Sequence, residues 1–196
     1  MGDIKSAREI AEEKLEKLGA ATEEERLQWK YVPEGEKLAA KYIKEAHNLV
    51  PELNQYEEKA RRYVIKGAED ILVRHIDLPR NDAIRKNSKR AMDGLKTIIN
   101  DKVAAENTFS KMRRIFEHYI EQGEQQRKQA YESLKADFEA RVQQAMQQQL
   151  GASVNMKIDI ESQPEFREQW RKLQIQLDSQ YIKLLDEYKL ELLSIT

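Results

Sequence analysis

The sequence predicts an all-α protein: a helical head continuous with a long antiparallel helical hairpin, with one short β-strand at the hairpin tip. Three observations predict it. Two long stretches, 102–150 and 163–195, repeat apolar residues at steps of three and four, the period of one helix face. Between them a short stretch alternates apolar and polar residues, the period of a strand with one buried face. The composition, 35% charged and 40% hydrophobic with seven Gly and four Pro in 196 residues, suits long helices better than a compact mixed fold.

The first arm carries Phe109, Met112, Phe116, Tyr119, Gly123, Gln126, Ala130, Leu134, Phe138, Val142 and Met146 on one face. The second carries Phe166, Trp170, Leu173, Leu177, Tyr181, Leu184, Tyr188, Leu192 and Ile195. Their spacing averages about 3.6 residues, so two nearly straight helices should pack with little supercoil. At 1.5 Å per residue the second arm spans about 50 Å and should reach back along the first only to about His118. Gly151 marks the end of the first arm, and Ser162-Gln163-Pro164-Glu165 has the spacing of a capping box opening the second. In the connector, 153–161, Val154, Met156, Ile158 and Ile160 alternate with polar residues. A lone strand leaves backbone groups unpaired, so these four residues are the expected pairing site, with Leu27–Val32 of the same chain, an edge strand of another protein or, preferred, the same strand of a second copy.

Towards the N-terminus, residues 1–33 read as a helix and linker. Ser6-Ala7-Arg8-Glu9 opens a helix that Gly19 stops. Thr22-Glu23-Glu24-Glu25 has the spacing of a helix start, yet Leu27, Trp29 and Tyr31 alternate like a strand, and the two readings stay open. Pro33-Glu34-Gly35 is expected to break the chain. The helical head, 34–117, then carries Leu38, Tyr42 and Ile43, a pause at Asn48–Pro51, and a second run from Leu53 to Leu72. Leu78-Pro79-Arg80-Asn81-Asp82 is a stop and restart before a helix through Ile84, Leu95 and Ile98. The hairpin arm occupies 118–196.

The opening Met1-Gly2-Asp3-Ile4-Lys5-Ser6-Ala7-Arg8-Glu9-Ile10-Ala11, with Gln163-Pro164-Glu165-Phe166, resembles an uncharacterised bacterial helical family, one of the domains of unknown function. That resemblance implies a bacterial cytosolic protein and brings no functional residues. The helix–strand–helix order is similar to that of prefoldin-like chaperones, whose hairpins assemble through paired strands where this chain offers one.

Composition narrows the chemistry. With no cysteine there is no disulfide, thiolate metal site or thiol nucleophile. No apolar run approaches the roughly 18 residues of a membrane span, and no signal-peptide core follows Met1, so a cytoplasmic location is expected. His47, His75 and His118 are scattered, and His75, beside Ile71 and Leu72, reads as a core histidine. None has the Glu-x-x-His spacing of a carboxylate di-metal bundle, and no phosphate-cradling glycine motif occurs. No catalytic, cofactor-binding or metal-ligating residue is therefore assigned, and no enzyme is expected.

The net charge of −1 is unevenly spread: residues 1–58 carry −5, residues 59–114 carry +8, and residues 115–196 carry −4. Within the basic middle, Arg80, Arg85, Lys86, Lys89, Arg90 and Lys96 cluster at a helix start, the density of cations that phosphate binding needs. Asp82, Asp93 and Asp101 interrupt them and no aromatic interleaves for base stacking, so the plainer reading is a solvated helix face. These readings point first to a non-enzymatic oligomeric scaffold or adaptor acting through the hairpin. The alternatives are a nucleic-acid- or ribosome-associated protein using 80–114, and a holdase chaperone gripping clients between its arms.

Overall fold

A computed structural model describes residues 21–45, 48–150 and 159–195, with the backbone alone at 149–150. The described residues form six helices: α1 Glu23–Glu45, α2 Leu49–Leu53, α3 Glu58–Arg74, α4 Asp82–Ile98, α5 Lys102–Leu150 and α6 Pro164–Ile195. They contain no strand. The helix expected at 6–18 lies outside them, as do His47, Val154, Met156 and Ile158.

The described residues divide into two compact units. One holds the chain up to Ile76, Lys86–Ala105 and the end from Leu193; the other holds Asp77–Arg85 and Glu106–Leu192. In the first unit, the open question at Thr22 is settled by a capping box. The Glu25 amide donates to the Thr22 hydroxyl at 3.2 Å, and the Thr22 amide donates to the Glu25 carboxylate at 2.8 Å. Leu27, Trp29 and Tyr31 are thus helical.

The break expected at Pro33-Glu34-Gly35 does not occur, and α1 runs through it. An interior proline costs a helix about 3 kcal/mol through its missing donor and its ring. What offsets this is packing along α3. A Cβ built on Gly35 would stand 1.9 Å from the Val64 carbonyl oxygen, and one built on Gly67 would stand 2.1 Å from that of Val32. The two glycines let the backbones meet where any side chain would hold them apart. Around this crossing, Ala39, Val64, Ala68 and Leu72 are fully buried. Further along, α4 joins at Gly94, whose Cβ would meet the Tyr42 ring at 2.7 Å and Leu72 at 3.2 Å. Gly35 therefore acts as a contact and not as a helix breaker.

Short polar caps separate the remaining helices. Asn48 accepts from the Val50 amide at 3.1 Å, and Asn81 from the Ile84 amide at 2.9 Å. Asp101 accepts from Val103 and Ala104 at 3.1 and 2.9 Å, which ends α4 and starts α5 without a proline. His75 closes α3, its Nδ1 2.8 Å from the Ile71 carbonyl oxygen.

In the second unit α5 and α6 pack antiparallel. Their register differs from the expected one. Phe166 stacks edge-on against Phe138 and Tyr131, both at 5.6 Å, so α6 starts opposite Phe138 instead of opposite Leu150. Its other end reaches Thr108, which lies 3.0 Å from Glu191, ten residues beyond the His118 limit expected from length alone. The aromatic cluster sets this register. Past it, Gln143, Gln144, Gln147 and Gln148 are exposed and offer α6 nothing apolar to bury.

The expected strand at 153–161 needs correction where it is described. Ile160 is a bend and Glu161 and Ser162 a turn. Ile160, 4% exposed, packs on Phe138 and Phe166, so its burial comes from helices and not from a neighbouring strand. Lys135 holds Glu161 at 2.6 Å. Pro164 opens α6 as its sequence suggests. Ser162 does not form the capping box, because its hydroxyl donates back to the Asp159 carbonyl at 2.8 Å.

Candidate functional site

The site grows from a choice between two neighbouring stripes on α6. Asp178, Leu185 and Leu192, seven residues apart, are the buried seam. Of the stripe read from periodicity, Phe166 and Leu192 are buried, while Leu173, Leu177, Leu184 and Tyr188 lie beside the seam. Leu184 is 42% exposed and Leu185 is 1% exposed. Packing has therefore turned α6 so that one row of apolar side chains is used up and a second is left on the flank.

A carboxylate in the buried seam needs partners. Asp178 Oδ2 accepts from Arg80 Nε at 3.1 Å and from the Tyr119 hydroxyl at 3.3 Å. Arg127 stands 3.8 Å from Oδ1, and its guanidinium lies over the Tyr119 ring at 4.1 Å. Oδ1 itself receives no hydrogen bond among the described residues. Burial works against the Arg80 charge, but Asp178 and Asp77 hold its guanidinium above the ordinary range. Burial pushes the Tyr119 phenol up, and the Asp178 charge adds to the shift. The cluster clamps Arg80 and α5 to α6.

The spare apolar row forms one wall of a groove of about 780 Å³ along the hairpin. Leu173, Leu177, Leu184 and Tyr188 come from α6; Lys111, Arg114, Ile115 and His118 come from α5. His118 Nδ1 lies 2.9 Å from the Tyr181 hydroxyl. Lys111 binds Glu191 at 2.7 Å and sits 5.4 Å from the Tyr188 ring centre. That ammonium holds the Glu191 carboxyl below the usual carboxylate range. Apolar side chains and cationic groups thus share the lining of the groove. Among the described residues no three His, Asp or Glu side chains converge as a metal site would require, and no helix is long and apolar enough to cross a membrane.

Residues 50–194 match the model of a family of unknown function, DUF6657. The chain belongs to that family. No curated protein and no solved structure matches it. The DUF6657 match takes in α3 to α6, including both walls of the groove and the whole Asp178 cluster.

Of the residues singled out from sequence, Ile160 is buried in the aromatic cluster. The basic set is dispersed in its uses. Arg80 serves Asp178 and also Asp77 at 3.2 Å, and Arg85 pairs with Asp82 at 3.2 Å. Arg90 donates to the Ile43 carbonyl at 2.5 Å, near the end of α1, where helix carbonyls lack internal partners. Lys96 is half-buried, and Lys86 and Lys89 are exposed. Sequence reasoning missed Asp178. Its signal was position: stepping back from Leu192 through Leu185 by sevens lands on a carboxylate inside an apolar lattice.

Proposed function

We propose that this DUF6657 chain is a non-enzymatic, oligomeric scaffold or adaptor whose docking surface is the groove on the hairpin. The observation that carries the reading is the leucine row along the groove, in which Leu184 is exposed and Leu173 and Leu177 are half-buried. Leu173, Leu177 and Leu184 stand along an open groove while Leu185 and Leu192 meet the packing needs of α6. On a chain that is 35% charged, apolar side chains gathered along one open groove favour an interaction site there. The nucleic-acid alternative has less support. Arg80 and Arg90 spend their guanidinium groups on Asp178 and on the Ile43 carbonyl, and Arg85 pairs with Asp82, which leaves Lys86 and Lys89 as the outward cations between them without such a partner.

The test uses the full chain and the double variant Leu177→Glu with Leu184→Glu. Sedimentation velocity and quantitative mass spectrometry of co-purified proteins should show assemblies of the wild type. The variant should weaken them about thirtyfold or more, the scale of losing a buried hot spot, while its helical circular dichroism is unchanged. Equal mass and equal partners in both proteins would remove the reading.

A further inference from the structure

We infer that the groove seats an acidic amphipathic helix of a partner protein. The inference rests on the docking reading of the same groove and adds the chemistry of what docks. Three observations support it. The α5 wall carries Lys111, Arg114 and His118 at steps of three and four, which places them in one row along the helix. No carboxylate lines the groove. Lys111 already has Glu191, but Arg114 makes no hydrogen bond or ion pair with any described residue, so a cation stands open beside apolar surface. The opposite rim, with Gln176 and Gln180, is uncharged and repels neither sign.

Shape selects a helix. From Leu173 to Tyr188 the groove runs roughly 22 Å at 1.5 Å per residue, about four turns. A helix presenting leucines at i, i+4, i+7 and i+11 would span the distance from Leu173 through Leu177 to Leu184. Glutamates flanking that stripe would then face Arg114, where an apolar neighbour lowers the screening of the contact. A second copy of the same groove is a poorer occupant, because it brings no carboxylate to Arg114. Helix-in-groove recognition by charge complementarity governs partner choice more than raw affinity.

The experiment is fluorescence anisotropy of the full chain with two synthetic 15-residue helical peptides. Both carry leucines at i, i+4, i+7 and i+11; one has glutamate at its flanking positions and the other lysine. The acidic peptide should bind about tenfold or more tightly than the basic one and weaken with added salt. Arg114→Glu should erase the preference, Arg114→Lys should keep it, and Leu184→Glu should abolish binding of both peptides. Arg114 and Leu184 are both exposed, so circular dichroism should show these variants folded. Equal binding of the two peptides, or preference for the basic one, overturns the partner chemistry and leaves the groove as a docking surface. No peptide binding together with a dimer that Leu184→Glu dissolves assigns the groove to a second copy, which also overturns the inference. No peptide binding and no assembly of any kind removes both the inference and the docking reading.

Discussion

Replacing Gly67 with alanine should destabilise the protein by about 3 kcal/mol, the upper part of the range for overpacking. The sign is informative. In an exposed helix the same change stabilises by roughly 1 kcal/mol, because glycine is the weaker helix former. Here the new methyl would stand 2.1 Å from the Val32 carbonyl oxygen, a backbone atom that cannot rotate away. Relief requires α1 and α3 to separate, which opens the layer of Ala39, Val64 and Ala68. Gly35→Ala should behave alike, since its methyl would meet the Val64 carbonyl oxygen at 1.9 Å. Urea unfolding read by Trp29 fluorescence, with Trp170 replaced by phenylalanine, reports on this unit. A stabilising effect at Gly67 would mean that the helices do not touch there.

Phe166→Ala should remove about 3–5 kcal/mol from the hairpin, as for other fully buried phenylalanines. Phe166 is enclosed by Phe138 and Ile160, with Tyr131 and Leu134 at the edge of the cluster. Its loss leaves a cavity at the place that sets the register of the arms, so neighbouring helix turns cannot close over it without shifting. Trp170, half-buried and edge-on to Tyr131 at 5.0 Å, should cost less when truncated. Urea unfolding followed through Trp170, with Trp29 replaced by phenylalanine, measures the first effect. A loss under about 1 kcal/mol would show that Phe166 is not the register anchor.

These two positions show what the sequence could and could not convey. The stripes of α5 and α6 were legible because apolar residues recur at helical spacing over many turns, and no competing signal interrupts them. Pro33 and Gly35 misled because their local meaning is to stop a helix. What overrides it is Gly67, more than thirty residues away, and the pairing of two glycines leaves no periodic trace. Ile160 misled for a different reason. Alternation describes a strand, but a single residue of the pattern can equally be buried among the aromatic rings at a helix start. The register was out of reach because length sets how far a helix extends and not where it begins to pair.

The groove was hidden by adjacent leucines. Leu184 and Leu185 belong to stripes one residue apart, and the stripe containing Leu185 also contains Asp178. A carboxylate made that stripe look polar. Its partners Arg80 and Tyr119 lie far away in the chain, so nothing local announced that Asp178 would be satisfied inside. The residues that became the candidate surface were read as core, and for that reason the connector drew the functional expectation instead.

The most direct measurement exploits the absence of cysteine from the chain. Leu184→Cys and Leu185→Cys each introduce a single thiol, and maleimide labelling of the dilute purified proteins compares their reactivity. With Leu184 in an open groove and Leu185 in the seam, Cys at 184 should react about a hundredfold faster, since a buried thiol must wait for local opening of the structure. Equal protection at both positions, or faster labelling at 185, would contradict an open leucine groove on the hairpin.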